Sequence, residues 1–155
     1  MPLVLIDEFR AIVDALEARG VEYAVAGAMA LAVHGVVRAT TDIDLLVRPE
    51  DVDRALAAVA SAGYVLPAER MTFRSGVTVQ RVSKVHEGEA LTLDLLFADG
   101  PLQRAWDSRL TVEAGDRRLQ VVSRAELIAM KALSGRLRDL ADIRRLQGED
   151  EDGEG

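Results

Sequence analysis

Asp42 and Asp44 sit one residue apart in TDIDLLV, and a third aspartate, Asp94, lies in the similarly patterned TLDLLF. Strands are depleted in aspartate, and an ionised carboxylate is costly to bury without a partner. Three acids in apolar runs therefore need a chemical reason. Strand residues two apart share a face, so Asp42 and Asp44 point one way while Ile43, Leu45 and Val47 point the other. Leu93, Leu95 and Phe97 set Asp94 apart in the same manner. If the two strands are neighbours, the three carboxylates meet on one surface and repel one another until a cation joins them. Oxygen-only ligands suit Mg²⁺. Two such ions close together clamp the attacking and leaving oxygens of an in-line displacement at phosphorus. A solvated strand face also accommodates an Asp-x-Asp pair, so the pair alone does not decide the chemistry.

Upstream, Gly27 and Ala28 form a small-residue turn between an expected strand and an expected helix. The first N–H groups of such a helix lack intrahelical partners and favour an anion; tight packing of an alanine-rich helix would use the same residues. Arg38, four residues before Asp42, is placed either to neutralise a carboxylate or to lie on a surface loop. His34 precedes Gly35 and would close the helix by donating to a spare carbonyl. His34 and His86 make no spaced ligand pair, and the lack of cysteine excludes disulfides, thiolate metal sites and thiol catalysis.

The elements that must hold these residues follow from periodicity. Ile6, Phe9, Ile12, Val13 and Leu16 recur at helical spacing, with Gly20 as a stop. Residues 21–25 predict a strand, AMALAVHG a helix, residues 41–47 a strand, and EDVDRALAAVASAG a helix entered through Pro49. Strands are predicted over 77–85 and 90–97, then a hairpin turning at Gly115–Asp116. Ser123 and Glu126 form a capping-box pair at the start of a C-terminal helical region that splits near Gly135 into a helix pair. This order predicts an α+β (mixed α/β) fold with a mainly antiparallel sheet flanked by helices. Trp106 has no partner motif and is expected to pack.

The chain has 155 residues and a formal charge of −7. Five acids lie in the closing GEDEDGEG; without them the remainder carries −2, which argues against a protein that coats nucleic acid. Residues 1–147 are expected to form one domain and 148–155 an acidic, disordered tail. No basic, apolar leader is evident, and no run is long enough to span a bilayer, so a cytoplasmic protein without membrane contact is expected.

Taken in order, AGAMALAVHGVVRATTDIDLLV resembles the signature of polymerase-β-like nucleotidyltransferases, a hydrophobic-Gly-[Gly/Ser] turn followed by Asp-hydrophobic-[Asp/Glu]-hydrophobic. With LIAMKALSGRLRDLADI downstream, the chain is most similar to small bacterial AbiEii-type toxin nucleotidyltransferases, from about Val21 to Leu146. The resemblance implies a nucleotidyltransferase fold and transfer of a nucleoside monophosphate from an NTP to an acceptor hydroxyl. Gly27 and Ala28 would cradle the triphosphate, Asp42 and Asp44 would hold two Mg²⁺ ions, and Asp94 would complete the site and help deprotonate the acceptor. Lys131 would approach the phosphates, with Arg38, Arg136 and Asp139 as further nucleotide-binding candidates. The acceptor, whether tRNA, protein or small molecule, is left open, and an antitoxin partner is implied. Ala28 departs from the family's Gly or Ser, removing a possible hydroxyl contact. It favours the alternative of a catalytically inactive nucleotide-binding module on the same fold. A metal-dependent phosphodiesterase would use the carboxylates without needing the turn.

Overall fold

A computed structural model of the chain describes residues 4–35, 42–134 and 146–148. The amphipathic N-terminal stretch forms α1 (Leu5–Ala18), which buries Phe9, Ile12, Val13 and Leu16 along one stripe. Strand β1 (Ala24–Ala26) turns at once into α2 (Gly27–Val33), and β2 (Asp42–Val47) follows. Pro49 opens a single 3₁₀ turn that leads into α3 (Val52–Ala60). Two-residue strands β3 (Leu66–Pro67) and β4 (Met71–Thr72) precede the long strands β5 (Thr78–His86) and β6 (Glu89–Phe97). Helix α4 (Gln103–Asp107), the hairpin β7 (Leu110–Ala114) and β8 (Arg117–Val121), and α5 (Arg124–Ser134) complete the order.

All eight strands join one sheet in the order β3-β5-β6-β2-β1-β8-β7, with β4 also on β5. The pairs β2–β6 and β1–β8 are parallel and the others antiparallel, so the mixed, mainly antiparallel sheet expected from the sequence is present. Alternation divides the central strands cleanly. Ile43, Leu45, Val82, Leu93 and Leu95 are buried on one face. There Lys84 of β5 meets α1 and the end of α3: its Nζ donates to Glu8 Oε1 at 2.8 Å and to the Ala62 carbonyl at 3.0 Å. Tyr64 donates to the same Glu8 oxygen at 3.2 Å. A charge this enclosed is tolerated because it is paired, and removing one partner of such a pair costs roughly 3–5 kcal/mol.

The predicted elements are present with three differences. Ladder pairing in β1 starts at Ala24 rather than Val21, although Val21 and Tyr23 are buried beside it. Strands β3 and β4 are too short for alternation to register, and α4 is barely more than one turn. Trp106 lies in α4, buried, with the Arg109 guanidinium 3.9 Å above its ring, so it packs as expected. Ser123 Oγ accepts from the Glu126 amide at 3.3 Å, as the capping pair predicts. The second helix of the C-terminal pair, apart from buried Leu146 and its two successors, and the acidic tail lie outside the described residues. Among the described residues no helix is long and apolar enough to cross a membrane.

Two tyrosines give the fold an alkaline limit. Burial, then the neighbouring Glu17 charge, pushes Tyr23 up to about 12; burial and Glu8 raise Tyr64 in the same direction. The native chain therefore keeps phenolic protons that the unfolded chain releases above about pH 10. This stabilisation is complete below that pH and is lost as pH rises toward about 12. Denaturant unfolding across that interval should show a falling midpoint, with Tyr23→Phe removing part of the decline and Tyr64 retaining the rest.

Candidate active site

The parallel pairing of β2 with β6 brings the separated acids together. Asp44 stands opposite Asp94, and Asp42 opposite Thr92. Across the β5–β6 ladder Asp94 faces Arg81, and Thr92 faces Ser83. Ala26 of β1 pairs with Asp44 on the other side. One row thus runs Ala26, Asp44, Asp94, Arg81 across four strands, with Asp42, Thr92 and Ser83 in the polar row beside it. Leu46, Leu96 and Val79 form the apolar row on the far side. All three aspartates are half-buried, on the face opposite the Glu8–Lys84 pair.

Arg81 is the residue that the sequence pattern missed. Its Nε donates to Asp94 Oδ1 at 2.8 Å and its Nη2 to Asp94 Oδ2 at 3.1 Å, a two-pronged pair. The bond to Asp94 and that residue's charge raise the guanidinium's pKa, with further contributions from Asp42 and Asp44, so one field embraces all four groups. A local signal for this contact exists. Glu87 and Gly88, with φ of 51° and 81°, make a two-residue hairpin turn. Counting outward from that turn puts residue 81 opposite residue 94.

Gly27 is required by contact as well as by conformation. Its φ is +59°, and a Cβ there would lie 2.0 Å from Asp44 Oδ2 and 2.9 Å from Asp44 Cγ. The Asp44 carboxylate therefore sits directly against the start of α2, where Ala28 follows with its methyl buried. The other end of α2 is fastened to the β8–α5 connection. His34 Nε2 lies 3.0 Å from the Val122 carbonyl rather than a carbonyl of its own helix, and Arg124 donates to the His34 carbonyl at 3.1 Å. Lys131 is 7% exposed in α5, the helix that also buries Leu127. Arg38, Arg136 and Asp139 lie outside the described residues.

Among the described residues no three acidic or histidine side chains are drawn into a ready cation cage. Asp94 instead directs both oxygens at Arg81. Mg²⁺ bound together with substrate phosphates usually takes only one or two protein carboxylates. Asp42 and Asp44, on one strand face, are two carboxylates of the kind such an ion takes.

The chain is similar to known proteins in family profile and in fold. The profile of the family described as nucleotidyl transferase AbiEii toxin, type IV TA system, matches residues 10–155. No curated protein matches the chain. The solved structure of TM1012 from Thermotoga maritima superimposes with a TM-score of 0.66 at 16% identity, over 93% of this chain and 92% of that one. The lincosamide antibiotic adenylyltransferase LnuA, lincomycin-bound, gives 0.63 at 18% identity, over 96% and 99%. ANT(2'')-Ia with adenylyl-2''-tobramycin gives 0.62 at 16%, over 91% and 86%. At these identities the likeness is one of fold, and the fold is the nucleotidyltransferase one.

The Gly27–Asp44 contact is open to a direct test. Gly27→Ala combines left-handed strain, about 1–2 kcal/mol for an L-residue, with a clash against the carboxylate. Denaturant unfolding of Gly27→Ala, Asp44→Ala and the double variant should show coupling. The double variant should be more stable than the two single losses add up to, because truncating Asp44 removes the Oδ2 and Cγ clashes and leaves the backbone strain and a tight 3.0 Å approach to the Asp44 Cβ.

Proposed function

The chain belongs to the AbiEii nucleotidyl transferase toxin family of type IV toxin–antitoxin systems, and on that premise we propose that it transfers a nucleoside monophosphate from an NTP to an acceptor hydroxyl, with Mg²⁺, in the cytoplasm. Membership makes it a transferase enzyme. The observation that supports the finer reading is the registered row in which Asp44 meets Asp94 beside the Gly27 turn.

The residues divide the work as follows. The Gly27–Ala28 amides take triphosphate oxygens, and Lys131 of α5 adds positive charge. Asp42 and Asp44, with Asp94 completing the set, would hold Mg²⁺, which when bound neutralises charge on the attacking and leaving oxygens. Asp94 accepts the acceptor's hydroxyl proton as the acceptor oxygen bonds to the α-phosphorus. The bond from that phosphorus to the bridging oxygen breaks on the opposite side, and pyrophosphate leaves. Positioning and electrostatic stabilisation supply most of the rate in a site of this kind.

LnuA is a lincosamide antibiotic adenylyltransferase seen with lincomycin, and ANT(2'')-Ia is seen with adenylyl-2''-tobramycin, so lincomycin and tobramycin join tRNA ends and protein hydroxyls as acceptors to test. Family membership also makes an antitoxin the partner to seek. A second reading, a module that binds nucleotide without transfer, is favoured by Ala28 and by the engagement of both Asp94 oxygens with Arg81.

Labelled NTPs offered with Mg²⁺ and this panel of acceptors should give a labelled product and pyrophosphate. Asp44→Asn should reduce transfer by at least about a hundredfold, in line with the loss of a major electrostatic stabiliser, while circular dichroism remains native. Calorimetric NTP binding without any pyrophosphate would favour the non-catalytic module; wild-type turnover by Asp44→Asn would remove the mechanism.

A further inference from the structure

We infer that Arg81 is a counter-cation that competes with the divalent metal for Asp94: it grips both Asp94 oxygens and must let go of them for the metal to gain its third carboxylate. The inference rests on the reading of Asp42, Asp44 and Asp94 as the cation-binding acids, and it assigns a positioning role to a residue outside that set.

Register comes first. The Glu87–Gly88 turn and the uninterrupted antiparallel ladder from His86–Glu89 to Val79–Leu96 leave Arg81 no other place than beside Asp94. On its other flank Asp94 has Asp44, a like charge on the adjacent strand. Like charges directly opposite each other are destabilising, so the row needs positive charge in its resting state, and Arg81 provides it.

Competition follows from geometry. The guanidinium occupies both oxygens of Asp94, at 2.8 and 3.1 Å, and so covers the carboxylate edge that a metal would use. Exposure identifies the partner that moves. The Asp94 side chain is 14% exposed and is held in the sheet, whereas that of Arg81 is 54% exposed and can swing outward on a flexible stem. The Glu8–Lys84 pair on the opposite face differs in this respect: Lys84 is 21% exposed and also bonded to the Ala62 carbonyl. That pair is built to stay closed, while the Arg81–Asp94 pair is built to open.

Mn²⁺ serves as the probe because its free ion can be counted by electron paramagnetic resonance, without reference to turnover. Purified full-length wild type, Arg81→Met, Arg81→Lys, Asp94→Asn, Asp44→Asn and the Arg81→Met/Asp94→Asn pair would each be titrated. Arg81→Met should bind Mn²⁺ about two- to fivefold more tightly, the range that an exposed ion pair is worth. Arg81→Lys, which keeps the charge and loses the two-pronged grip, should show part of that gain. It also decides the matter if the methionine variant does not fold. In the Asp94→Asn background the gain should vanish. Equal or weaker Mn²⁺ binding by a folded Arg81→Met overturns the exchange, as does a gain that survives Asp94→Asn, since that would be a long-range charge effect. In either case binding that depends on Asp44 leaves the metal-site reading standing. Mn²⁺ binding indifferent to Asp44→Asn removes that reading, and the exchange with it.

Discussion

Like charges on adjacent strands must be balanced, and this requirement organises the site. The parallel register of β2 with β6 sets Asp44 beside Asp94 on a half-buried face, where water screens them less than at an open surface. Every neighbouring choice accommodates that pairing. Gly27 has no side chain because the Asp44 carboxylate takes the space. Arg81 lies at the end of the same row, where its fork meets the second acid. The apolar row of Leu46, Leu96 and Val79 closes one side of the polar corner.

The two faces of the sheet handle charge in opposite ways. On the helix-covered face, Glu8, Lys84 and Tyr64 form a small closed network whose donors and acceptors satisfy one another. Such a group ties α1, α3 and β5 into one arrangement and has no chemistry left over. On the other face Asp44 and Asp94 share a row with Arg81, and Asp42 lies in the polar row beside it. Period-two alternation lets one strand serve both purposes: Gln80, Val82 and Lys84 belong to the interior, and Arg81 and Ser83 to the site. The fold and the chemistry can therefore be altered separately, in keeping with a fold that is shared at identities as low as 16%.

Local pattern carried much of this and could not carry the rest. The facing of Asp42, Asp44 and Asp94 away from the core was legible because alternation is a property of each strand alone. So were helices α1, α2, α3 and α5, the Gly115–Asp116 hairpin turn and the Ser123 cap. That β2 and β6 are neighbours was not legible, since adjacency across a parallel crossover is set by how α3 and the β3–β5 region pack. The partner of Arg81 lay between these cases. It could be counted from the Glu87–Gly88 turn, but that turn follows His86 in a stretch whose polarity hides the hairpin. The short elements β3, β4 and α4 escaped because two to five residues hold too little periodicity to distinguish strand or helix from loop.

The parallel crossover also dictates when the site can exist. Asp42 and Asp44 leave the ribosome well before Asp94, and no contact local in sequence can bring them together. The loop between them must close first, and such long-range closures are the slow, entropically costly steps of folding. A nascent or half-folded chain therefore displays scattered acids and no assembled row. The acid row arrives together with the pairing of β2 and β6 and not before it.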